Sequence, residues 1–68
     1  MNITIHFDEK TLQVPAGTTL AALLEAQRRT PESVATALNG LFVPREARPD
    51  TVLGHGDQIL LFKPIVGG

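Results

Sequence analysis

Residues 34–43 read VATALNGLFV, and this stretch decides the fold. Asn39-Gly40 is a strong signal for a two-residue β-hairpin, because both residues readily adopt the left-handed backbone that such a turn requires. Apolar and β-branched residues flank the turn, which predicts strands at residues 34–38 and 41–43. Pro44 ends the second strand, since proline lacks the amide hydrogen that a sheet ladder needs.

A further strand is predicted at residues 58–63, where an uninterrupted apolar run extends from Ile59 to Phe62. Such a run is typical of a central strand with apolar neighbours on both faces. One helix covers only one face of a single sheet. We therefore expect one alternating pair of the run to be partly exposed, either Leu60 with Phe62 or Ile59 with Leu61. An exposed apolar patch on a small domain usually marks a contact with a partner.

The chain begins with a predicted β-hairpin. Residues 2–7 and 11–14 alternate polar and apolar side chains and are separated by a polar turn. The expected inward-facing residues are Ile3, Ile5, Phe7, Leu12 and Val14. Farther along the chain, residues 45–53 show weak periodicity and predict a loop.

One helix is predicted near residues 19–29. Thr18 or Thr19 offers a side-chain oxygen as its N-cap, and a narrow apolar stripe follows at helical spacing. We expect Arg28 and Arg29 to lie in the last turn, where the helix dipole favours cations. This structural role accounts for the arginine pair without a binding function.

Length and composition limit the possible classes of protein. The 68 residues predict one domain at 1–63, followed by a flexible tail at 64–68. The chain has no cysteine, so it forms neither a disulfide nor a thiolate metal site. A net charge of −1 without Trp or Tyr argues against nucleic-acid binding. With no apolar run of membrane-spanning length and no signal peptide, we expect a soluble, cytoplasmic protein without a membrane partner.

Catalysis by residues of this chain is not expected. His6 and His55 are the only histidines, and no cysteine or carboxylate cluster accompanies them to form a metal site. Ser33 is the only serine and lies in no nucleophile motif. Asp57 is predicted to stabilise a turn by accepting hydrogen bonds from nearby amides.

The C-terminus is the remaining candidate for chemistry. The uncharged run Pro64-Ile65-Val66 leads into Gly67-Gly68, and glycine has no side chain to obstruct entry into a narrow tunnel. A carboxylate is a poor electrophile, but an adenylyl group would give it a good leaving group that a sulfur nucleophile displaces. A Gly-Gly end also arises by chance or as a remnant of cloning, and the dipeptide alone does not distinguish these origins from a functional tail.

The chain resembles the ThiS family of sulfur carrier proteins over its whole length. The similarity lies in the run from Gly56 to Phe62, in the Gly67-Gly68 end, and in Val43-Pro44-Arg45-Glu46 after the hairpin turn. The resemblance implies an α+β, ubiquitin-like β-grasp fold. In that fold a mixed sheet of four to five strands carries one main helix on one face, which agrees with the predicted element order.

The resemblance also implies a reaction sequence. Gly68 would be adenylated by an E1-like, ThiF-type enzyme that uses ATP, while the carrier itself binds no cofactor. Sulfur from a cysteine desulfurase or a similar donor would convert Gly68 to a thiocarboxylate. A ThiG-type thiazole synthase would then take the sulfur. Ile65, Val66 and Gly67 would enter the partner's active site.

Finally, the resemblance implies which side of the last strand is open. Ile59 and Leu61 would face the helix, and Leu60 and Phe62 would form a docking patch for partner enzymes. The alternative is that Phe62 folds over the sheet edge as part of the core. In either case, Pro64 should stop strand pairing at or before Lys63.

Three other functions share some of these features. The small subunit of molybdopterin synthase has the same fold and thiocarboxylate chemistry. A ubiquitin-like modifier would instead join its terminal glycine to a lysine of a target protein. A plain interaction domain would make no use of the two glycines.

Overall fold

The computed structural model describes residues 1–63, apart from the side chain of Pro31. These residues form five strands, one α-helix and two short 3-10 helices. The strands are β1 (Asn2–Phe7), β2 (Lys10–Pro15), β3 (Ala35–Leu38), β4 (Leu41–Val43) and β5 (Gln58–Phe62). The helix α1 spans Leu20–Ala26, and the 3-10 helices span Pro31–Ser33 and Arg45–Asp50.

The strands form one mixed sheet in the order β2-β1-β5-β3-β4. β5 lies in the centre, as the apolar run in its sequence predicted, and it runs parallel to β1 and antiparallel to β3. Both predicted hairpins are present, and α1 packs on one face of the sheet. The β-grasp prediction is confirmed.

The Asn39-Gly40 turn fixes the register of half the sheet. Asn39 and Gly40 have φ values of 52° and 86°, and Leu38 pairs directly with Leu41. The Asn39 side chain also reaches the start of β5, where its Oδ1 accepts the Gln58 amide at 2.9 Å and its Nδ2 donates to Asp57 at 3.0 Å. This turn therefore ties the β3-β4 hairpin to the central strand.

Side chains extend the ladder between β1 and β5 at both ends. Before β5 begins, the Thr4 amide donates to Nδ1 of His55 at 3.1 Å. Beyond β1, Oδ1 of Asp8 accepts the Leu61 amide at 3.3 Å. Asp57 accepts the Gly54 amide at 2.7 Å, which confirms its predicted role in a turn. These contacts hold the central strand in place along its length.

The helix is shorter than the sequence predicted. Thr19 is the N-cap, with its Oγ1 accepting the Ala22 amide at 3.1 Å, but α1 ends at Ala26. Arg28 adopts a left-handed conformation with φ 59°, and the Arg29 amide donates to the Leu24 carbonyl at 2.9 Å. This is a Schellman motif, which normally has glycine at the left-handed position. The prediction that Arg28 and Arg29 lie in the last helical turn is wrong, because the chain turns away there.

The core lies between α1 and the facing side of the sheet. Its buried apolar residues are Ile5, Phe7, Leu20, Leu23, Leu24, Val43, Leu53 and Ile59. Ile3, Leu12 and Val14 pack against this cluster, as their alternation in the strands predicted, and Leu61 packs against it as the family resemblance implied. No helix among residues 1–63 has the length and hydrophobicity that a membrane span requires.

The segment predicted as a loop contains a buried arginine. Residues Arg45–Asp50 form a 3-10 helix that carries Arg48 into the protein. Its Nη2 donates to the Val34 carbonyl at 2.7 Å, and its Nε donates to Oγ1 of Thr36 at 3.1 Å. Thr36 in turn donates to the Val43 carbonyl at 3.0 Å. Burial lowers the pKa of the Arg48 guanidinium from its usual value, yet arginine remains charged at neutral pH.

Candidate functional site

The face of the sheet opposite α1 has an apolar side on β3, β4 and β5. Residues that pair directly across neighbouring strands point to the same face. Ala37 pairs with Phe42 on one side and Leu60 on the other, while Ala35 pairs with Phe62. All five side chains therefore lie on one face, which α1 does not cover.

We call Phe42, Leu60 and Phe62 the open-face patch. Phe42 is 69% exposed and Phe62 is 51% exposed, whereas Leu60 is half-buried beside the buried Ala37. Leu60 and Phe62 lie on the face that the family resemblance implied. Phe62 remains too exposed to count as core, unlike Ile59 on the opposite face, which is fully buried. The patch has the composition of an interface centre, where large apolar and aromatic anchors dominate.

Phe42 is absent from the docking patch that the sequence predicted. Its hydrophobicity alone does not place it on either face, because strand β4 has only three residues. The register supplies the missing information. Since Leu38 and Leu41 flank the two-residue turn, Ala37 must pair with Phe42, and β3 then aligns Phe42 with Leu60. Counting outward from Asn39-Gly40 gives the Ala37–Phe42 pair, but the alignment with Leu60 follows only from the pairing of β3 with β5.

Polar residues border the patch on the β1-β2 side. His6 pairs with Gln58 of β5 and with Thr11 of β2, so all three lie on the open face. His6 is exposed, as predicted. The open face thus divides into an apolar half around β5 and β3 and a polar half on β1 and β2.

A groove with charged walls borders the patch at the end of the sheet where β3 begins. Phe42 and Ala35 contribute apolar walls, and Glu32, Arg45 and Glu46 contribute charged ones. Nη1 of Arg45 lies 3.8 Å from Oε1 of Glu32, and both side chains are more than half exposed. Charged residues therefore border the open-face patch at this edge, close to its aromatic side chains.

The tail leaves the domain at the same end of the sheet. β5 ends at Phe62, opposite Ala35, which agrees with the prediction that pairing stops at or before Lys63. The predicted sulfur-carrying residue Gly68 lies outside the described residues. So do the predicted tunnel residues, Ile65, Val66 and Gly67. What the structure establishes is that the chain reaches residue 63 beside the open-face patch.

This arrangement defines a class of protein: a ubiquitin-like β-grasp domain with an uncovered apolar patch beside the start of its Gly-Gly tail. Comparison with known proteins narrows the class. The ThiS family model matches residues 2–68. The sulfur carrier protein ThiS of Escherichia coli strain K12 is 41% identical over 64 residues, which cover 94% of this chain and 97% of that protein. The chain belongs to the ThiS family.

A solved structure agrees with this assignment. The crystal structure of the thiamine biosynthesis protein ThiS from Geobacter metallireducens superposes with a TM-score of 0.83 at 26% identity. The match covers 97% of this chain and all of that one. The predicted family is confirmed, and the protein is a sulfur carrier of thiamine biosynthesis rather than a catalyst.

Proposed function

We propose that the Gly68 carboxylate carries the sulfur as a thiocarboxylate. A carboxylate oxygen attacks the α-phosphorus of ATP in the active site of an E1-like adenylating enzyme, and pyrophosphate leaves. The persulfide sulfur of a cysteine desulfurase or a similar donor then attacks the acyl carbon, and AMP leaves. A thiol cleaves the resulting acyl disulfide, which releases the thiocarboxylate and leaves a disulfide between the thiol and the donor cysteine. A thiazole synthase receives the sulfur from the thiocarboxylate. The supporting observation is that the family match extends through Gly67 and Gly68.

The chemistry of the tail suits this role. Gly67 and Gly68 carry no side chains, so nothing on them blocks attack at the acyl carbon. Ile65 and Val66 carry no charge, and an uncharged segment loses little free energy when a protein tunnel removes its water. We place these residues in the active site of the partner during both reactions, which take place in the cytoplasm.

In this proposal the partner enzymes bind to the open-face patch. Phe42, Leu60 and Phe62 give a partner an apolar surface that lies beside the start of the tail. A partner seated on this surface receives the tail at a fixed position, which lowers the entropy cost of bringing Gly68 to the reacting group. Because a single carboxyl group occupies one active site at a time, the adenylating enzyme and the thiazole synthase act in turn.

The intact mass of the protein tests the proposal. We expect protein purified from its own cells to include a species heavier by the difference between sulfur and oxygen. The same species should form in vitro with ATP, the adenylating enzyme and a sulfur donor. Fragmentation should place the added mass on Gly68. Lysines of other proteins that carry the chain in an isopeptide bond would support a modifier instead, and an unchanged mass in both samples would support an interaction domain.

Replacing Phe42 with alanine should weaken adenylation without unfolding the protein. Loss of an interface anchor typically costs about 2 kcal/mol, so we expect KM for the carrier to rise about 30-fold while kcat changes little. Leu41→Ala is the matched control, because Leu41 is 74% exposed on the same strand but points to the other face. The steady-state rate of pyrophosphate release gives KM and kcat for both variants. Equal KM values for Phe42→Ala and Leu41→Ala would contradict docking on the open-face patch.

A further inference from the structure

In the segment Val43-Pro44-Arg45-Glu46, the fold explains the two apolar residues but not the two charged ones. Val43 packs in the core, and Pro44 ends β4 and caps the following 3-10 helix. Arg45 then opens that helix with an exposed side chain. Neither core packing nor the proposed chemistry of the tail accounts for this arginine.

Arg45 and Arg48 lie in the same 3-10 helix but differ in what they bind. Arg48 is buried and donates to Val34 and Thr36 inside the protein. Arg45 pairs with Glu32 at 3.8 Å, near the outer limit of an ion pair, and both side chains are exposed. Exposed pairs of this kind contribute about 0–1 kcal/mol, so the Glu32 contact leaves Arg45 available to a better-placed anion.

Arg45 also lies where two surface grooves meet. One groove leads past Ala35 to Phe42 at the border of the open-face patch. The other runs beside α1, between Leu24 and Pro49. Arg45 and Arg48 line both grooves, so two cations are close together there. Glu25, Glu32 and Glu46 balance the charge of these arginines and of Arg29, so the grooves carry no net charge. The preference for an anion comes from Arg45 itself, whose exposed guanidinium has only a long contact to Glu32.

We infer that Arg45 is a specificity-determining residue that binds a carboxylate side chain of the adenylating enzyme. The inference rests on the proposed function, because it takes the open-face patch as the docking surface. Interfaces commonly surround an apolar centre with a polar rim, and Arg45 occupies such a rim position in the groove that Phe42 and Ala35 also line. The planar guanidinium pairs with a carboxylate through two parallel hydrogen bonds, which fixes orientation as well as position.

The test measures adenylation of three variants by the purified adenylating enzyme at two salt concentrations. Arg45→Gln should raise KM for the carrier about tenfold, the cost of one charge-assisted contact, with kcat unchanged. Added salt should raise KM less for Arg45→Gln than for the unmodified protein, since the variant has lost the screened attraction. Glu32→Gln should leave KM unchanged or lower it, because it frees Arg45. Arg28→Gln is the control, as Arg28 is exposed and lines neither groove.

Two results would overturn the inference while leaving the proposed function standing. An unchanged KM for Arg45→Gln would show that the enzyme does not bind this arginine. Equal increases in KM for Arg45→Gln and Glu32→Gln would show that only their mutual pair matters. Circular dichroism of each variant confirms that it is folded. If the unmodified protein is not adenylated at all, the proposed function itself fails.

Discussion

Deletion of Gly67 and Gly68 is expected to abolish thiocarboxylate formation completely, with the domain still folded. The described fold ends its last strand at Phe62, and no contact of residues 1–63 that builds the core requires the two glycines. The deletion moves the terminal carboxylate away from the acyl position that the partner enzyme uses. Intact mass after incubation with ATP, the adenylating enzyme and a sulfur donor measures the result.

The truncated protein should also become a competitive inhibitor. It keeps the open-face patch, so it should bind the adenylating enzyme with nearly unchanged affinity and raise KM for the full-length carrier. Gly67→Ala keeps the chain length and the terminal carboxylate, so it separates the effect of length from that of a side chain in the tunnel. We expect it to form thiocarboxylate more slowly than the unmodified protein but not to abolish the reaction. Thiocarboxylate on the truncated protein, or thiamine-independent growth of cells that contain only this form, would contradict a role for Gly68.

Replacing Arg48 with methionine is expected to cost about 2–3 kcal/mol in the free energy of unfolding. The guanidinium makes charge-assisted hydrogen bonds to Val34 and Thr36, and each such bond contributes about 1.5–3 kcal/mol. Methionine fills part of the space but leaves the Val34 carbonyl without this donor, while release of the guanidinium from its buried site offsets some of the loss. A 68-residue domain has a total free energy of unfolding of roughly 3–10 kcal/mol, so this loss is a large share of its stability.

Urea denaturation followed by circular dichroism measures this effect. Arg45→Met is the matched control, since Arg45 belongs to the same 3-10 helix but is exposed, and we expect it to change stability by less than about 0.5 kcal/mol. Thr36→Val should give an intermediate loss, because it removes one acceptor of Arg48 together with the donor to Val43. Similar midpoints for Arg48→Met and Arg45→Met would show that the buried network contributes little.

The sheet could be predicted because its signals are local. Asn39-Gly40 specifies a turn through backbone conformation, and alternation in residues 2–7 specifies which side chains enter the core. The apolar run of β5 correctly indicated a central strand. The faces of that strand were not determined by its own residues, and only the resemblance to a known family assigned Leu60 and Phe62 to the open side.

The remaining features depend on tertiary contacts that no local pattern reveals. Arg28 has good helix propensity, yet it takes the left-handed position that ends α1. Arg48 is a residue type that is rarely buried, and its partners Val34 and Thr36 lie just before β3 and within it. Phe42 becomes part of the candidate site only through pairing across β3 to β5. Each case requires knowledge of what lies beside the residue in space.

The central position of β5 has a mechanical consequence for the tail. β5 is flanked by β1 on one side and β3 on the other, and the Asn39 and Asp8 side chains reinforce its connections. A force applied to residue 63 along the direction of β5 acts on the hydrogen bonds to β1 and β3 at the same time. These hydrogen bonds therefore resist the force together instead of opening one after another. An edge strand would peel away under the same force. If the tail enters a partner's active site as proposed, the domain that holds the tail should stay folded while the tail is drawn in and released.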